Sequence, residues 1–384
     1  MDFRLTADQR ALRSRVREFA RTCLGTTAAE SDESARLPLK EWRECARFGI
    51  LGWPIPPEYG GAGLDPFSIA IGLEALGYGC RDNGLVFAIG NQLWACAVHI
   101  LAHGTEEQKQ RFLPGLADGS LVGSQALTEP DAGSDVMALS TTAQAVAGGY
   151  ALNGTKTFIS NAVDADVFIV FARTAQERSQ SALTAFLVPR GTAGLEVTGL
   201  SKPGVRATSM GRVLLRDCRV PAEAILGGIG GGYGLFTSGI EWERIFMFAP
   251  QVGALEWMAE DAAAYAGSRR QFGRPIGSYQ AVSHKIADMR IRAELSRLAL
   301  YRAAWLKGEG RVALLESAIA KLYISESAVA SSLDAQQVYG ARGYVSEYGI
   351  EREVRDALAG RIYAGTSDIQ RNIIATLIGV PTGD

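Results

Sequence analysis

Histidine and cysteine are both scarce in this chain, at three and five residues among 384. The cysteines (Cys23, Cys45, Cys80, Cys96 and Cys218) stand apart, with no CxxC and no pairing pattern. That spacing excludes a disulfide framework and a zinc knuckle, and it reads as small buried hydrophobes in a reducing compartment. His99 and His103 have the i,i+4 spacing that two zinc ligands could share. No HExxH and no third ligand accompany them, so they read as structural. GxSxG, the P-loop and a Cys–His nucleophile pattern are all missing. Neither sign of charge dominates: 39 Lys and Arg against 41 Asp and Glu leave a net charge of −2, without the basic stripe that nucleic acid requires. No uninterrupted apolar run approaches the about 20 residues of a bilayer span. The charged, amphipathic start MDFRLTADQRALRSRVREFA is no signal peptide. These absences point to a cytoplasmic protein with neither nucleic acid nor membrane as a partner.

What remains is an ordinary globular composition, 47% hydrophobic and 21% charged, in a chain long enough for two or three domains. Residues 5–21 carry Leu12, Val16 and Phe19 on one helical face behind a cap at Thr6. Residues 54–64 (PIPPEYGGAGL) are turn material, and residues 66–78 and 84–103 are apolar helical patterns. Thr105 and Gln108 form a capping box. Past Gly119 the texture changes to short β-type runs: 150–152, 157–159, 167–172, 184–188, 195–198 and 212–215. Asn153-Gly154 is the favoured two-residue hairpin signal between the first two of these. Gly227–Gly234 reads as a hinge, since it lacks the spacing and the strand–turn–helix setting of a dinucleotide fingerprint. Long helical patterns follow over 235–265, 280–307, 312–340 and 366–378. The chain is therefore expected to be α+β in three parts: an N-terminal helical domain (1–120), a central β-barrel-like domain (121–227) and a C-terminal helical bundle (228–384).

Two segments carry candidate chemistry. The loop ALTEPDAGSDVMA (126–138) presents hydroxyls and backbone N–H groups around a Pro-Asp-Ala-Gly turn. It can hold a phosphate or a polar cofactor edge, or serve only as a polar connection. The second segment is Glu241-Trp242-Glu243-Arg244. On a helical net Glu241 neighbours Thr237, Ser238 and Arg244 and can join a solvated i,i+3 pair. Glu243 neighbours Gly239, Ile240, Phe246 and Met247. A carboxylate on such an apolar stripe is either a general base with a raised pKa or one half of a buried bridge to a distant arginine, and the residues alone leave both open. The basic stretch at 269–272 (RRQF) is either an anion contact or a solvated turn.

Several motifs together resemble the acyl-CoA dehydrogenase family: ALTEPDAGSD (126–135), GTEEQKQRFLP (104–114), NGTKTFISNA (153–162), RVP (219–221), SRRQFGRPIGSYQ (268–280), QVYGARGYVSEYGIEREVRDA (337–357) and YAGTSDIQR (363–371). The resemblance implies the family fold, with a C-terminal four-helix bundle, bound FAD and a homotetramer. It places Gln125, Leu127, Thr128, Gly133, Ser134, Phe158 and Ser160 on the flavin. Arg269, Gln271, Phe272, Gln280, Gln337, Gly340 and Ala341 would reach the FAD of a neighbouring subunit, and Thr366 and Asp368 would approach the FAD diphosphate and adenosine region. Ala341 and Asp368 stand where the family usually has Gly and Glu. Ser134, Arg244 and Ala364 would face the substrate.

One departure bears on mechanism. The family's usual base, a Glu in the tail motif, is Ala364 here, and alanine takes no proton. In isovaleryl-CoA dehydrogenase and its like the base comes from the helix after the hinge, at the position Glu243 occupies. The resemblance thus implies α,β-dehydrogenation of an acyl thioester, on CoA or on a carrier protein, to the 2-enoyl thioester. Glu243 would be the base, and an electron-transferring flavoprotein or oxygen the final acceptor. An oxidase, a monooxygenase, carbanion chemistry and a non-catalytic flavin protein are the rivals.

Overall fold

The computed structural model describes residues 4–24 and 27–381. The N-terminal part is helical: α1 (Ala7–Phe19), α2 (Ala28–Ser34), α3 (Leu39–Phe48), α4 (Pro66–Gly79), α5 (Asn83–Gln92), α6 (Val98–His103) and α7 (Glu106–Ala117). Local chemistry starts α1 and α7 where the sequence places their caps. Thr6 with Gln9 and Thr105 with Gln108 each form both hydrogen bonds of a capping box. A π-helical segment, Leu93–Ala97, joins α5 to α6. The continuous helical span Asn83–His103 is long and apolar enough to cross a membrane by length and composition, yet 83% of its apolar window is buried inside the fold. Asn91, Gln92, His99 and His103 interrupt it, which is why no unbroken apolar run is visible in the sequence.

Strands β1 (Gly123–Ala126), β2 (Thr142–Val146), β3 (Gly149–Ser160), β4 (Val167–Arg173), β5 (Leu183–Pro189), β6 (Leu195–Gly199), β7 (Met210–Pro221) and β8 (Ile225–Leu226) form one eight-stranded mixed sheet. The order is β6-β7-β3-β2-β4-β5-β8, with β1 parallel to β4. The hairpin expectation at Asn153-Gly154 is wrong. The turn between β2 and β3 is Ala147-Gly148, and β3 runs on through Asn153 and Gly154 with a register shift there. Tertiary contact explains the dipeptide: Asn153 Oδ1 accepts from Asp217 N at 2.8 Å, and a Cβ on Gly154 would lie 2.3 Å from Thr141 Oγ1.

The C-terminal part contains α8 (Gly232–Phe246), α9 (Ala249–Ser268), a hairpin of β9 (Arg270–Gln271) and β10 (Arg274–Pro275), α10 (Gln280–Gly308), α11 (Leu314–Tyr339), α12 (Ala341–Tyr344), α13 (Ile350–Ala359) and α14 (Ser367–Leu377). The pattern read as one helix over 235–265 is two. Pro250, in the first turn of α9, cannot donate to Phe246, so α8 ends before it. The helix α13 was not expected at all.

Helices α9, α10 and α11 pack together, and α4 lies against α9 and α10, so the two helical parts share one core. Trp42, Trp94, Phe246, Phe248, Leu300 and Ile324 belong to it. One face of the sheet packs on α6, α7 and α8 through Ile100, Phe112 and Leu235, and a second apolar cluster fills the sheet's interior around Phe168 and Phe186. Helix α8 is thereby wedged between sheet and bundle.

Candidate active site

Glu243 lies near the C-terminal end of α8, and its i±3 and i±4 neighbours Gly239, Ile240, Phe246 and Met247 are all buried. The residue itself keeps partial access to solvent. Its carboxylate makes no hydrogen bond and no ion pair among the described residues, so the bridge to a distant arginine is not formed. Burial raises its pKa to about 7, against the opposing charge of Arg244. A carboxyl held there is a base near neutral pH, which is what removal of a carbon-bound proton needs.

The helical-net pairing of Glu241 with Arg244 is not what forms. Glu241 Oε2 pairs with Lys307 Nζ of α10 at 2.8 Å, because α10 brings a cation to the side of α8 facing it. Arg244 turns instead toward the tail, where its Nε donates to Ala364 O at 3.4 Å. Gln370 Nε2 donates to the same carbonyl at 3.1 Å and to Gly365 O at 3.0 Å. Ala364 has φ +54° and Gly365 φ +87°, so the chain turns through the left-handed region just before Thr366 caps α14 by accepting from Ile369 N. The Ala364 N–H has no acceptor among the described residues. The turn thus offers a free backbone donor whose carbonyl side is fastened from two directions.

On the sheet side, Glu129 is buried at the base of the 126–135 loop. Its carboxylate accepts from Lys156 Nζ at 2.7 Å, Ser140 N at 2.6 Å, Ser140 Oγ at 2.7 Å and Thr141 N at 3.0 Å. Burial alone would favour the protonated acid, but the Lys156 charge and these donors outweigh it and hold Glu129 well below the usual carboxylate range. Lys156 also donates to Leu127 O at 3.0 Å, and Thr157 N to Thr128 O at 2.8 Å, so β3 grips the loop directly. Next along β3, Phe158 has φ +58° at a register shift and stands 61% exposed. An aromatic residue held out in a left-handed conformation marks a contact surface. The hydroxyls of Thr128, Ser134 and Ser160 make no hydrogen bonds among the described residues, while Ser160 O is held by Ser124 Oγ at 2.7 Å and Asn91 Nδ2 at 3.3 Å. Gly133 and Ser134 are exposed. An exposed ring beside a loop with free hydroxyls fits a flat aromatic cofactor of the flavin type.

His99 joins the two halves. It is buried and lies within 3.1 Å of Gln125 Nε2 at the end of β1. Its ring also occupies the space beside Gly239, where a Cβ would sit 1.9 Å from Cε1. Burial lowers its pKa to about 3, with His103 nearby, so it stays neutral. His99 thus sets the loop relative to the turn of α8 that precedes Glu243. Among the described residues no cluster of His, Cys, Asp and Glu could hold a metal.

The chain matches the N-terminal, middle and C-terminal domains of acyl-CoA dehydrogenases over residues 6–120, 124–218 and 230–378. It belongs to the acyl-CoA dehydrogenase family. It is 44% identical to an L-prolyl-[peptidyl-carrier protein] dehydrogenase of Pseudomonas fluorescens over 93% of this chain and 95% of that one. Among solved structures it resembles a prolyl acyl carrier protein oxidase (TM-score 0.96, 42% identity, 98% and 100% coverage). It also resembles the butyryl-CoA dehydrogenase of Megasphaera elsdenii (TM-score 0.94, 34% identity, 98% and 100% coverage).

In this acyl-CoA dehydrogenase chain the expected site residues fall into two groups. Arg244, next to Glu243 on α8, reaches Ala364, two residues before Thr366, and His99, packed beside Gly239 of α8, reaches Gln125 and the loop that carries Leu127, Thr128, Gly133, Ser134 and, across β3, Phe158 and Ser160. The second group comprises Arg269, Gln271, Phe272, Gln280, Gln337, Gly340 and Ala341. All are exposed, at the end of the bundle where Tyr265 stacks on Tyr339 at 4.0 Å. Phe272, at the tip of the β9–β10 hairpin with φ +50°, is 92% exposed. Asp368 is exposed, with Arg371 at 3.4 Å. Sequence reasoning passed over Glu129, Lys156 and Gln370, and read His99 only as structural; all four touch the site only through its neighbours. Glu129 and Lys156 stand inside two of the quoted motifs, but nothing in the sequence pairs them.

Proposed function

We propose that this chain is an FAD-dependent acyl-thioester dehydrogenase whose base is Glu243, placed as in isovaleryl-CoA dehydrogenase, and whose substrate is a prolyl group on a peptidyl carrier protein. The observation that carries the reading is the Glu243 carboxylate: partnerless, raised toward neutrality, and on the helix that holds Arg244 against the Ala364 turn. The named activities of the relatives, a prolyl carrier-protein dehydrogenase and a prolyl carrier-protein oxidase, favour the prolyl thioester over a long acyl-CoA.

Glu243 takes the α-proton of the thioester. The Ala364 N–H donates to the thioester carbonyl oxygen as negative charge gathers there, and this contact needs no side chain at position 364. Arg244 and Gln370 hold that turn in place, and Ser134 borders the thioester from the loop. FAD, bound by Gln125, Leu127, Thr128, Gly133, Ser134, Phe158 and Ser160, supplies the acceptor for the β-hydride. The product is the 2-enoyl thioester, and the electrons pass on to an electron-transferring flavoprotein or to oxygen.

A homotetramer accounts for the second group of residues. Ile291, Leu295 and Leu298 recur at helical spacing on α10 at 54%, 46% and 49% exposure, an apolar stripe that self-association would cover. Arg269, Gln271, Phe272, Gln280, Gln337, Gly340 and Ala341 then reach the FAD of a neighbouring subunit, while Thr366 and Asp368 approach the FAD diphosphate and adenosine region.

The decisive test is Glu243→Gln. The variant should bind FAD yet lose anaerobic bleaching of the flavin by a prolyl-carrier thioester by about 10³-fold or more. Bleaching at the wild-type rate would refute the assignment. Oxygen uptake with and without an electron-transferring flavoprotein then identifies the acceptor.

A further inference from the structure

Two lysines are fully buried among the described residues, and they differ in one respect. Lys156 has its counter-ion in Glu129. Lys321, on α11, has none: its Nζ makes no hydrogen bond and no ion pair among the described residues. Its ammonium stands 5.3 Å from the centre of the Phe248 ring, which stacks at 4.8 Å on Tyr363, the residue before Ala364. The charges that act on Lys321 are Arg244 of α8, of the same sign, and Glu326 on its own helix. Glu326 is already engaged, by Arg361 Nε at 3.1 Å and Ser367 Oγ at 2.6 Å. Arg244 is 6% exposed and also lacks an acid partner among the described residues, since Glu241 belongs to Lys307. Burial and Arg244 lower the Lys321 pKa, but only to about 8, so the amine stays charged at neutral pH. Two cations thus lie buried around the Ala364 turn without a counter-ion. Such charges cost stability, and the site that holds them is short of an anion.

Resting on the dehydrogenase reading above, we propose that Lys321 joins Arg244 in a fixed positive field whose missing anion is the enolate of the bound thioester. In the step that forms it, the α C–H bond breaks and the proton goes to Glu243. The electron pair moves onto the thioester oxygen at the Ala364 N–H. A charge set in place beforehand, in a setting free of water, stabilises that oxygen without having to reorient. Being fully buried, Lys321 touches no ligand, so it is a positioning residue and not a catalytic one. Through Phe248 it lies no more than about 10 Å from the Tyr363 ring. At about that distance a full charge inside a protein is worth on the order of one pKa unit. Of the two cations only Arg244 acts on Glu243, so loss of Lys321 leaves the base as it is and weakens the oxyanion alone.

The test compares wild-type holoenzyme with Lys321→Met. The probe is the acetoacetyl thioester of pantetheine, which forms an enolate and has no β-hydrogen to transfer. Its enolate stacked on oxidised flavin gives a long-wavelength charge-transfer band, and following that band against pH gives the apparent pKa of the bound probe. In Lys321→Met this pKa should rise by about one unit, a roughly tenfold loss of enolate. The melting temperature at neutral pH should equal or exceed that of wild type, because the change removes an unpaired buried charge and keeps apolar volume. An unchanged probe pKa in the variant overturns the role. So does a lower melting temperature or loss of bound FAD, either of which makes Lys321 a structural tie. A wild type that gives no charge-transfer band at any pH would instead overturn the dehydrogenase reading, and this role with it.

Discussion

Replacing Glu243 by glutamine should change stability as well as activity, and in a way that only a desolvated, partnerless acid would produce. The Glu243 pKa rises from 4.5 to about 7 on folding. At 1.36 kcal/mol per unit this amounts to on the order of 3 kcal/mol of added cost for the ionised form in the folded chain. A raised carboxyl pKa favours the fold while the group is protonated. That contribution is complete below 4.5 and is lost as pH rises through about 7. Glutamine has the shape of the protonated acid and never ionises, so the variant avoids the loss. The melting temperature of Glu243→Gln should therefore exceed that of wild type by little near about pH 5 and by a few degrees near about pH 8.5. One kcal/mol moves Tm by about 2–4 °C in chains of roughly 150–250 residues and by less in longer ones. Other raised groups, such as Asp356, are common to both proteins and cancel in the difference. Scanning calorimetry across that pH range measures the gap directly. A gap that stays flat with pH would show that the carboxyl is not desolvated as described, whatever happens to turnover.

Three further substitutions probe the supports of the site. Gly239→Ala would drive a Cβ to 1.9 Å from the His99 ring. It should cost about 1–3 kcal/mol or more by melting, and slow flavin bleaching as the Glu243 turn shifts. Glu129→Gln leaves Lys156 buried without its counter-ion, a loss of about 3–5 kcal/mol. Because the loop it anchors carries the proposed flavin contacts, the variant should lose FAD on desalting, and wild-type flavin retention would count against that anchoring role. The same carboxylate, depressed on folding, stabilises the protein above its ordinary pKa of 4.5, and that contribution is lost as pH falls from there through about 2. Arg244→Lys keeps the charge but loses the planar donor to Ala364 O, so kcat should fall by about tenfold or more with bound FAD unchanged. An unaltered kcat would remove Arg244 from the positioning of the turn.

Features decided within one helical turn were legible in the sequence: the cap at Thr6, the capping box at Thr105, and the apolar setting of Glu243 among Gly239, Ile240, Phe246 and Met247. Those decided by distant chain segments were not. Glu241 has a local partner within reach in Arg244, yet Lys307 of α10 takes it, and that releases Arg244 for Ala364. Asn153-Gly154 has the composition of a turn, but Thr141 and Asp217 use it from neighbouring strands. The left-handed Phe158 and the buried Glu129–Lys156 pair are likewise tertiary. No periodicity announces them, although all three residues stand in the motifs that reveal the family.

With Glu243 as the proposed base, the arrangement gives a reason why the tail motif could do without its acid. Two demands compete at one point in this chemistry: the oxyanion needs a donor, and the base needs an apolar surrounding that raises its pKa. A carboxylate on the Ala364 turn would sit next to the N–H proposed to meet the substrate and beside Arg244, whose charge depresses an acid's pKa. On α8 the proposed base keeps its apolar neighbours, and the guanidinium is turned away to the Ala364 carbonyl at 3.4 Å. Arg244 still lowers the Glu243 pKa, but burial exceeds it, and the balance falls at about 7. Removing that charge while leaving the fold in place tests the division of labour. Arg244→Met should move the rising limb of kcat/KM against pH to higher pH, because the positive charge that opposes desolvation is gone, and it should lower kcat as the turn loosens. A limb that stays put while kcat falls would mean that Arg244 only holds the turn and that its field does not reach the base.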